Sequence, residues 1–243
     1  MYDTKKALAE YVLPMLRDKK IIGLGTGKTV RKLVEVLQNA NLLHNKIIIT
    51  SSVDTDLLVS RYTQNVLSPL TGAIPEIYID SFDFFLNSGD EKILVKGGGG
   101  ALLREKILSF FSTERIFIGE KSKVVSKRDV LVPIEIEPFA LSFVVSKLRS
   151  SGLNPTLRES NGKMGPIVTD NGNVLVDVSV ETSNLCALER EIKSIPGVIE
   201  TGIFCEKLYD MIVIADEGGT IEIFQRSRES GQGKKNSTTY FAR

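Results

Sequence analysis

Apolar residues in the first half of the chain fall into short β-branched runs, each followed by a polar turn. "KKIIGLG" leads into a helix predicted from about Lys28, with Val30, Leu33, Val34 and Leu37 on one face, and "NKIIIT" leads into another from about Asp54. "EIYID", "KILVK" and "RIFIG" predict three further strands. Strands of this kind alternating with helices predict an α/β fold with a Rossmann-like, mainly parallel sheet and helices on its faces. Ligands in such folds gather at the carboxyl ends of the strands. Thr26, Ser51, Asp80, Lys96 and Lys123 all stand at or just after predicted strand ends. Five segments are therefore expected to converge on one rim.

After about Lys127 the rhythm changes to strand "VLVPIEIE", helix "PFALSFVVSKLRSSG", strand near "NPTLRES", strand "NVLVDVSV", helix "LCALEREIKSI" and strand "VIETGIF". This β-α-β-β-α-β order predicts a ferredoxin-like α+β unit, with Asn171-Gly172 as a tight turn before its second inner strand. "YDMIVIAD" is too apolar for an edge of that unit and is expected to return to the first sheet. The expected division is residues 1–128 and 205–225 for the Rossmann-like domain, with 129–204 inserted as the ferredoxin-like domain. Residues 226–243 are polar, aperiodic and net basic, and are expected to be disordered.

Composition narrows the function classes. A chain of 243 residues with 42% hydrophobic and 25% charged residues belongs among globular proteins with a sizeable core. A net charge of +1 offers no broad basic field, so no nucleic-acid partner is expected, and no apolar run approaches the ~20 residues of a membrane span. The N-terminal stretch carries charges within its apolar pattern, unlike a secretion signal. Cys186 and Cys205 have no metal-ligand spacing and are expected to be reduced packing residues of a cytoplasmic protein. His44, the one histidine, lies in a polar stretch and reads as a loop residue. A transition-metal site would have to be built almost wholly from carboxylates, and the chemistry is therefore expected to run on carboxylates and lysines.

"IIGLGTGKTV" resembles a nucleotide loop but meets neither the G-x-x-x-x-G-K-[ST] nor the G-x-G-x-x-G spacing. What remains is a glycine-dense turn with two threonine hydroxyls before a helix, which can point N–H groups at an anion or serve as an ordinary strand-to-helix turn. In "VKGGGGALLREKI", four glycines precede a helical pattern that puts Glu105 in the first or second turn, with Lys96 before the glycines. Such a pair suits proton removal from carbon, the lysine steadying oxyanion charge. Equally, Glu105 can favour its helix N-terminus and Lys96 can be a surface residue. Asp80 and Asp83, in "YIDSFDFF", could bind hydroxyls or a metal, share a proton, or cap the next segment.

Taken in order, these stretches resemble the ribose-5-phosphate isomerase A family. "GLGTGKT" is similar to the family's G-x-G-T-G-S-T, "TSSVDT" to its T-S-x-x-T region, and "GEKSK" to D-E-S-K. "KGGGGALLREK" fits the family pattern without a break, and "VPIEIEPFA", "LR", "VTDNGNVLVDV" and "IPGVIETGIF" follow in order and spacing. The resemblance implies a metal-free and cofactor-free isomerase of ribose 5-phosphate and ribulose 5-phosphate, acting as a homodimer or homotetramer. It implies that Glu105 shuttles a proton between C1 and C2 through an enediol, while Asp80, Asp83 and Lys96 assist ring opening and hold sugar oxygens. The phosphate would be taken by the turn of Thr26, Gly27, Lys28 and Thr29, helped by Lys5, Ser51 and Lys123.

The chain also departs from the family. Its Asp80-Ser81-Phe82-Asp83-Phe84 stands against D-G-A-D-E, Lys28 replaces a serine of the phosphate turn, and Glu120 replaces an aspartate. Phe82, Phe84 and Phe85 are expected to be core or wall residues. The altered turn motivates the alternative of a non-catalytic sugar-phosphate-binding protein on the same scaffold. A transferase with Glu105 as nucleophile is a weaker third reading.

Overall fold

The computed structural model describes residues 2–88, 91–126, 129–160, 162, 164–226 and 237–241. In chain order its first elements are α1 (Thr4–Leu16), β1 (Ile21–Leu24), α2 (Lys28–Asn39), β2 (Ile47–Thr50), α3 (Val53–Val59), β3 (Ile77–Ser81), β4 (Phe84–Ser88), β5 (Glu91–Val95), α4 (Leu102–Phe111) and β6 (Glu114–Glu120). There follow β7 (Val124–Val125), β8 (Val130–Ile136), α5 (Leu141–Ser150), β9 (Pro155–Leu157), β10 (Val174–Val180), α6 (Leu185–Lys193), β11 (Val198–Thr201) and β12 (Ile203–Phe204). Last come β13 (Met211–Ala215), β14 (Thr220–Gln225) and β15 (Ser237–Phe241). The chain divides into two compact units, one of Met1–Phe82, Glu105–Lys123 and Glu206–Arg243, the other of Asp83–Arg104 and Val124–Cys205.

The first unit is the Rossmann-like one. Its seven-stranded sheet has the order β15-β14-β13-β6-β3-β1-β2. The five strands from β13 to β2 run parallel, and β14 and β15 add an antiparallel edge. The core packs Ile22, Leu24, Ile48, Ile77, Ile79, Ile116 and Ile118 of the strands against Leu8, Val12 and Leu16 of α1 and Val30, Leu33, Val34 and Leu37 of α2. The helical face read from the sequence is thus the buried one. "YDMIVIAD" returns to this sheet as β13, paired in parallel with β6. Part of the stretch expected to be disordered is a strand: Ser237–Phe241, rich in β-branched and aromatic residues, pairs with the open edge of β14. Residues 227–236 and 242–243 of that stretch lie outside the described residues.

The second unit holds the ferredoxin-like sheet, order β11-β8-β10-β9, all antiparallel. Gly172, at φ +83°, makes the turn before β10 that Asn171-Gly172 predicts. The unit also contains a second sheet, β12-β5-β4-β7, in which "KILV" is β5. That strand was expected in the large parallel sheet. It instead forms an antiparallel hairpin with β4, because Phe84 to Ser88 is itself extended and aligns Phe84 with Val95 through Ser88 with Glu91. Residues 83–104 therefore cluster with the insert, whereas the sequence assigned them to the first domain.

Cys186 and Cys205 are joined by a disulfide, with Cα atoms 6.1 Å apart. This corrects the expectation of two separate thiols. They lie nineteen positions apart in sequence, and the pairing of β11 with β8 and of β12 with β5 carries the chain back to α6, which no spacing rule anticipates. Among the described residues no helix is long and apolar enough to cross a membrane.

Within the first unit, Asp210 receives Arg115 Nε at 2.7 Å, Arg115 Nη2 at 2.8 Å and the Arg115 backbone N–H at 3.0 Å. Burial works to raise the Asp210 pKa, but the Arg115 hydrogen bonds and charge outweigh it and hold the carboxyl below its ordinary value. A depressed folded-state pKa adds stability above the unfolded value of about 4, and that stability fades as pH falls through the folded value. Asp210→Ala should therefore lower the unfolding free energy by about 3 kcal/mol at pH 7, as for a broken buried pair. Urea denaturation checks it, and the gap between wild type and variant should shrink below about pH 4.

Candidate active site

In the first unit the site is built around a buried carboxylate. Tyr78 and Asp80 lie two residues apart on β3, so their side chains share one face of the strand. Asp80 is fully buried. Its Oδ2 accepts the Tyr78 hydroxyl at 2.5 Å, and its Oδ1 accepts the backbone N–H of Ser81 at 2.6 Å and of Thr26 at 3.3 Å. The carboxylate thereby ties the turn after β1 to the end of β3. A side chain at position 25 would occupy the same space, since a Cβ built on Gly25 lies 1.9 Å from Asp80 Cγ. Glycine at 25 thus makes room for an aspartate, and any anion meets a turn already moulded on it.

The turn is further held by hydroxyls. Ser52 Oγ donates to Thr26 Oγ1 at 2.9 Å, and Thr55 Oγ1 donates to the Gly25 carbonyl at 2.9 Å. Ser52 also accepts the Thr55 N–H and so caps α3. Gly27, at φ +102°, takes the N-cap position of α2, a conformation that disfavours any side chain. Thr29 in the first turn of α2 and Ser51 after β2 are buried, while Lys28 is exposed.

Glu105 stands in the first turn of α4 and is only 2% exposed. Its charge reaches the same tyrosine: burial first, then the carboxylates of Asp80 and Glu105, push the Tyr78 phenol well above its ordinary pKa. The phenol stays protonated and acts as a fixed donor to Asp80. Tyr78 escapes a reading that looks only for residues at strand ends. Its position two before Asp80 on one strand is the signal that would have found it.

Lys123, in the short turn after β6, donates from Nζ to the Phe82 carbonyl at 2.7 Å and lies 5.8 Å from the Phe82 ring centroid. The Phe82 ring is buried and fills the space of a side chain at Gly119, whose Cβ would lie 2.3 Å from it. The wall role expected of Phe82 is thus the one it has. Lys5 of α1 pairs with Glu120 at 2.9 Å.

The second unit carries the other two expected residues, Asp83 and Lys96. Asp83 Oδ2 accepts the Gly98 N–H at 2.7 Å, and the Asp83 N–H donates to the Val95 carbonyl at 2.9 Å. Lys96 follows β5 and is 2% exposed, with Nζ 5.8 Å from the centroid of the Phe204 ring. The alternative of a surface lysine is thereby excluded. Among the described residues no group of three or more histidine, cysteine, aspartate or glutamate side chains is placed to hold a metal ion.

The family model for ribose 5-phosphate isomerase A (phosphoriboisomerase A) matches residues 47–219. A ribose-5-phosphate isomerase A of Archaeoglobus fulgidus is 36% identical over 217 residues, covering 84% of this chain and 92% of the relative. The solved structure of ribose 5-phosphate isomerase A from Methanocaldococcus jannaschii superposes with a TM-score of 0.83 at 29% identity, covering 92% of this chain and 99% of that one. A second solved structure, a D-ribose-5-phosphate isomerase in complex with phospho-erythronic acid, gives 0.83 at 27% identity and covers 92% and 98%.

Gly25→Ala should displace the Asp80 carboxylate and break its bond from the Thr26 N–H. The expected cost is about 1–3 kcal/mol of stability, as for other overpacked sites. A crystal structure of the variant with Asp80 unmoved would contradict this account of the turn.

Proposed function

The chain belongs to the ribose 5-phosphate isomerase A family, and from that membership we propose that it interconverts D-ribose 5-phosphate and D-ribulose 5-phosphate through an enediol, without metal or cofactor. The observation that carries the proposal is Glu105, a carboxylate buried in the first turn of α4 and electrostatically coupled to the Tyr78–Asp80 pair. A carboxylate shielded from bulk water is suited to taking a proton from carbon.

In the proposed reaction Glu105 removes the C2 proton of the open-chain aldose. The C–H electron pair forms the C1–C2 double bond, and the carbonyl pair moves onto O1. Return of the proton to C1, with transfer of the O2 proton to O1, leaves a hydroxymethyl group at C1 and the ketone at C2. Lys96, a buried ammonium, steadies the oxyanion charge that develops in between. Asp80 and Asp83 hold sugar hydroxyls and serve ring opening. The turn of Thr26, Gly27, Lys28 and Thr29 takes the phosphate, with Ser51, Lys5 and Lys123 around it. The bound acid of the phospho-erythronic acid complex is a four-carbon phosphorylated carboxylate, and its planar carboxylate is shaped like the enediolate end of this intermediate. That likeness supports the same substrate class here.

A non-catalytic sugar-phosphate binder is not favoured. The bulky residue that motivated it, Phe82, packs against Gly119 and leaves Asp80 with its three donors. A cytoplasmic assembly of two or four copies belongs to the same proposal and rests on the family membership alone.

Purified protein should convert ribose 5-phosphate to ribulose 5-phosphate in excess chelator, and Glu105→Gln should lower the rate by about two to four orders of magnitude, the range expected for loss of a general base. Absence of turnover by the wild type, with ribose 5-phosphate still raising its melting temperature, would replace the enzyme by a binder.

A further inference from the structure

The second unit contains an arginine that the reaction above does not use. Arg158 follows β9 and is held by Asp177 of β10, whose Oδ2 accepts Nε at 2.8 Å and whose Oδ1 accepts Nη2. Its remaining donor, Nη1, points into the glycine run, at 2.8 Å from the Gly97 carbonyl and 3.3 Å from the Gly98 carbonyl. The pair is largely buried, with 16% and 20% of the two side chains exposed.

The Gly97 carbonyl and the Gly98 N–H belong to one peptide unit. Arg158 holds its oxygen, and Asp83 accepts its N–H at 2.7 Å. In a trans peptide these two groups point in opposite directions, so one rigid plane stands between a guanidinium and a carboxylate. Gly100 N–H also donates to the Gly97 carbonyl, at 3.0 Å, closing a turn over residues 97–100. The centre of such a turn is the peptide between Gly98 and Gly99, which rotates between turn types. Glycine on both sides imposes little steric barrier to that rotation. Arg158 holds the Gly98 carbonyl as well, and so engages both peptides at once.

We propose that Arg158 is a positioning residue, which locks the Gly97–Gly98 peptide and thereby fixes the Asp83 carboxylate for the isomerisation. The inference rests on the proposed function for the role of Asp83. A charged donor on the carbonyl also polarises the peptide and strengthens the N–H bond to Asp83. Asp177 acts one step further out, keeping the guanidinium fork from turning away.

A double-mutant cycle with Arg158→Met and Asp83→Asn tests this. Arg158→Met should lower kcat about 10- to 100-fold, the loss typical of a displaced group remote from the reacting bond. In the Asp83→Asn background the same change should cost less than about threefold, because interacting residues are not additive. Arg158→Lys keeps a cationic donor without the fork and should recover part of the loss. It is the variant to read if Arg158→Met does not fold. Losses that multiply across the cycle would overturn the proposal and leave Arg158 a structural tether.

The Gly98 amide proton, followed by NMR, gives a readout independent of turnover. It should move upfield when Arg158 is changed and Asp83 is intact. A resonance that does not respond overturns the proposal even if the enzyme is active. A wild type without turnover, but with a responding Gly98, overturns the isomerase reading and leaves the positioning of Asp83 by Arg158 standing.

Discussion

A buried aspartate with nowhere else to go organises the first unit. Asp80 sits at the end of a central parallel strand with no exposed surface, and an unsatisfied carboxylate there would cost several kcal/mol. Three donors meet that demand: a phenol on its own strand, the next backbone N–H, and an N–H from the turn after β1. The third requires the turn to come so close that only glycine fits at position 25. The start of α2, the hydroxyl cluster of Thr26, Ser52 and Thr55, and the cap of α3 are then arranged around that approach.

The second unit repeats the device. Asp83 takes its N–H from Gly98, where a Cβ would lie 3.0 Å from the carboxylate oxygens. Both glycine-dense stretches are thus moulded on aspartates of the same "DSFD" segment. Glycines of this kind invite a reading as phosphate loops. In both places at least one glycine answers first to a neighbouring carboxylate, and ligand binding would be a second use of the geometry so created. The family's glycine and alanine at positions 81 and 82 are not needed for this: Ser81 lends its N–H, and Phe82 turns into the space above Gly119.

Much of the architecture was legible because the first sheet is buried on both faces and the insert is all antiparallel, and each leaves its own pattern. Ile21 to Leu24, Ile47 to Thr50 and Val130 to Ile136 read as strands from composition alone. The β4–β5 hairpin did not, because Phe84–Ser88 directly follows the two aspartates and owes its strand identity to pairing with Glu91–Val95. The disulfide and the strand at Ser237–Phe241 depend on contacts between distant segments, which local patterns do not carry. Among the site residues, Glu105 stood out as a carboxylate after a glycine run and Asp80 as one at the end of an apolar strand. Tyr78 and Arg158 lay hidden, since an aromatic in an apolar strand and an arginine after a short one are ordinary, and only their partners distinguish them.

In the proposed isomerisation, hydrogen moves between C1 and C2 as a proton on a carboxylate. This transfer is tested most directly by running the conversion of ribose 5-phosphate in heavy water and examining the ribulose 5-phosphate by NMR and mass spectrometry. A proton resting on Glu105 during the enediol stage exchanges with solvent in a fraction of turnovers, so the account predicts deuterium at C1 of the product. Product that forms at full rate with no deuterium at C1, from substrate that has gained none at C2, would leave no exchanging proton on Glu105 and would contradict this reading.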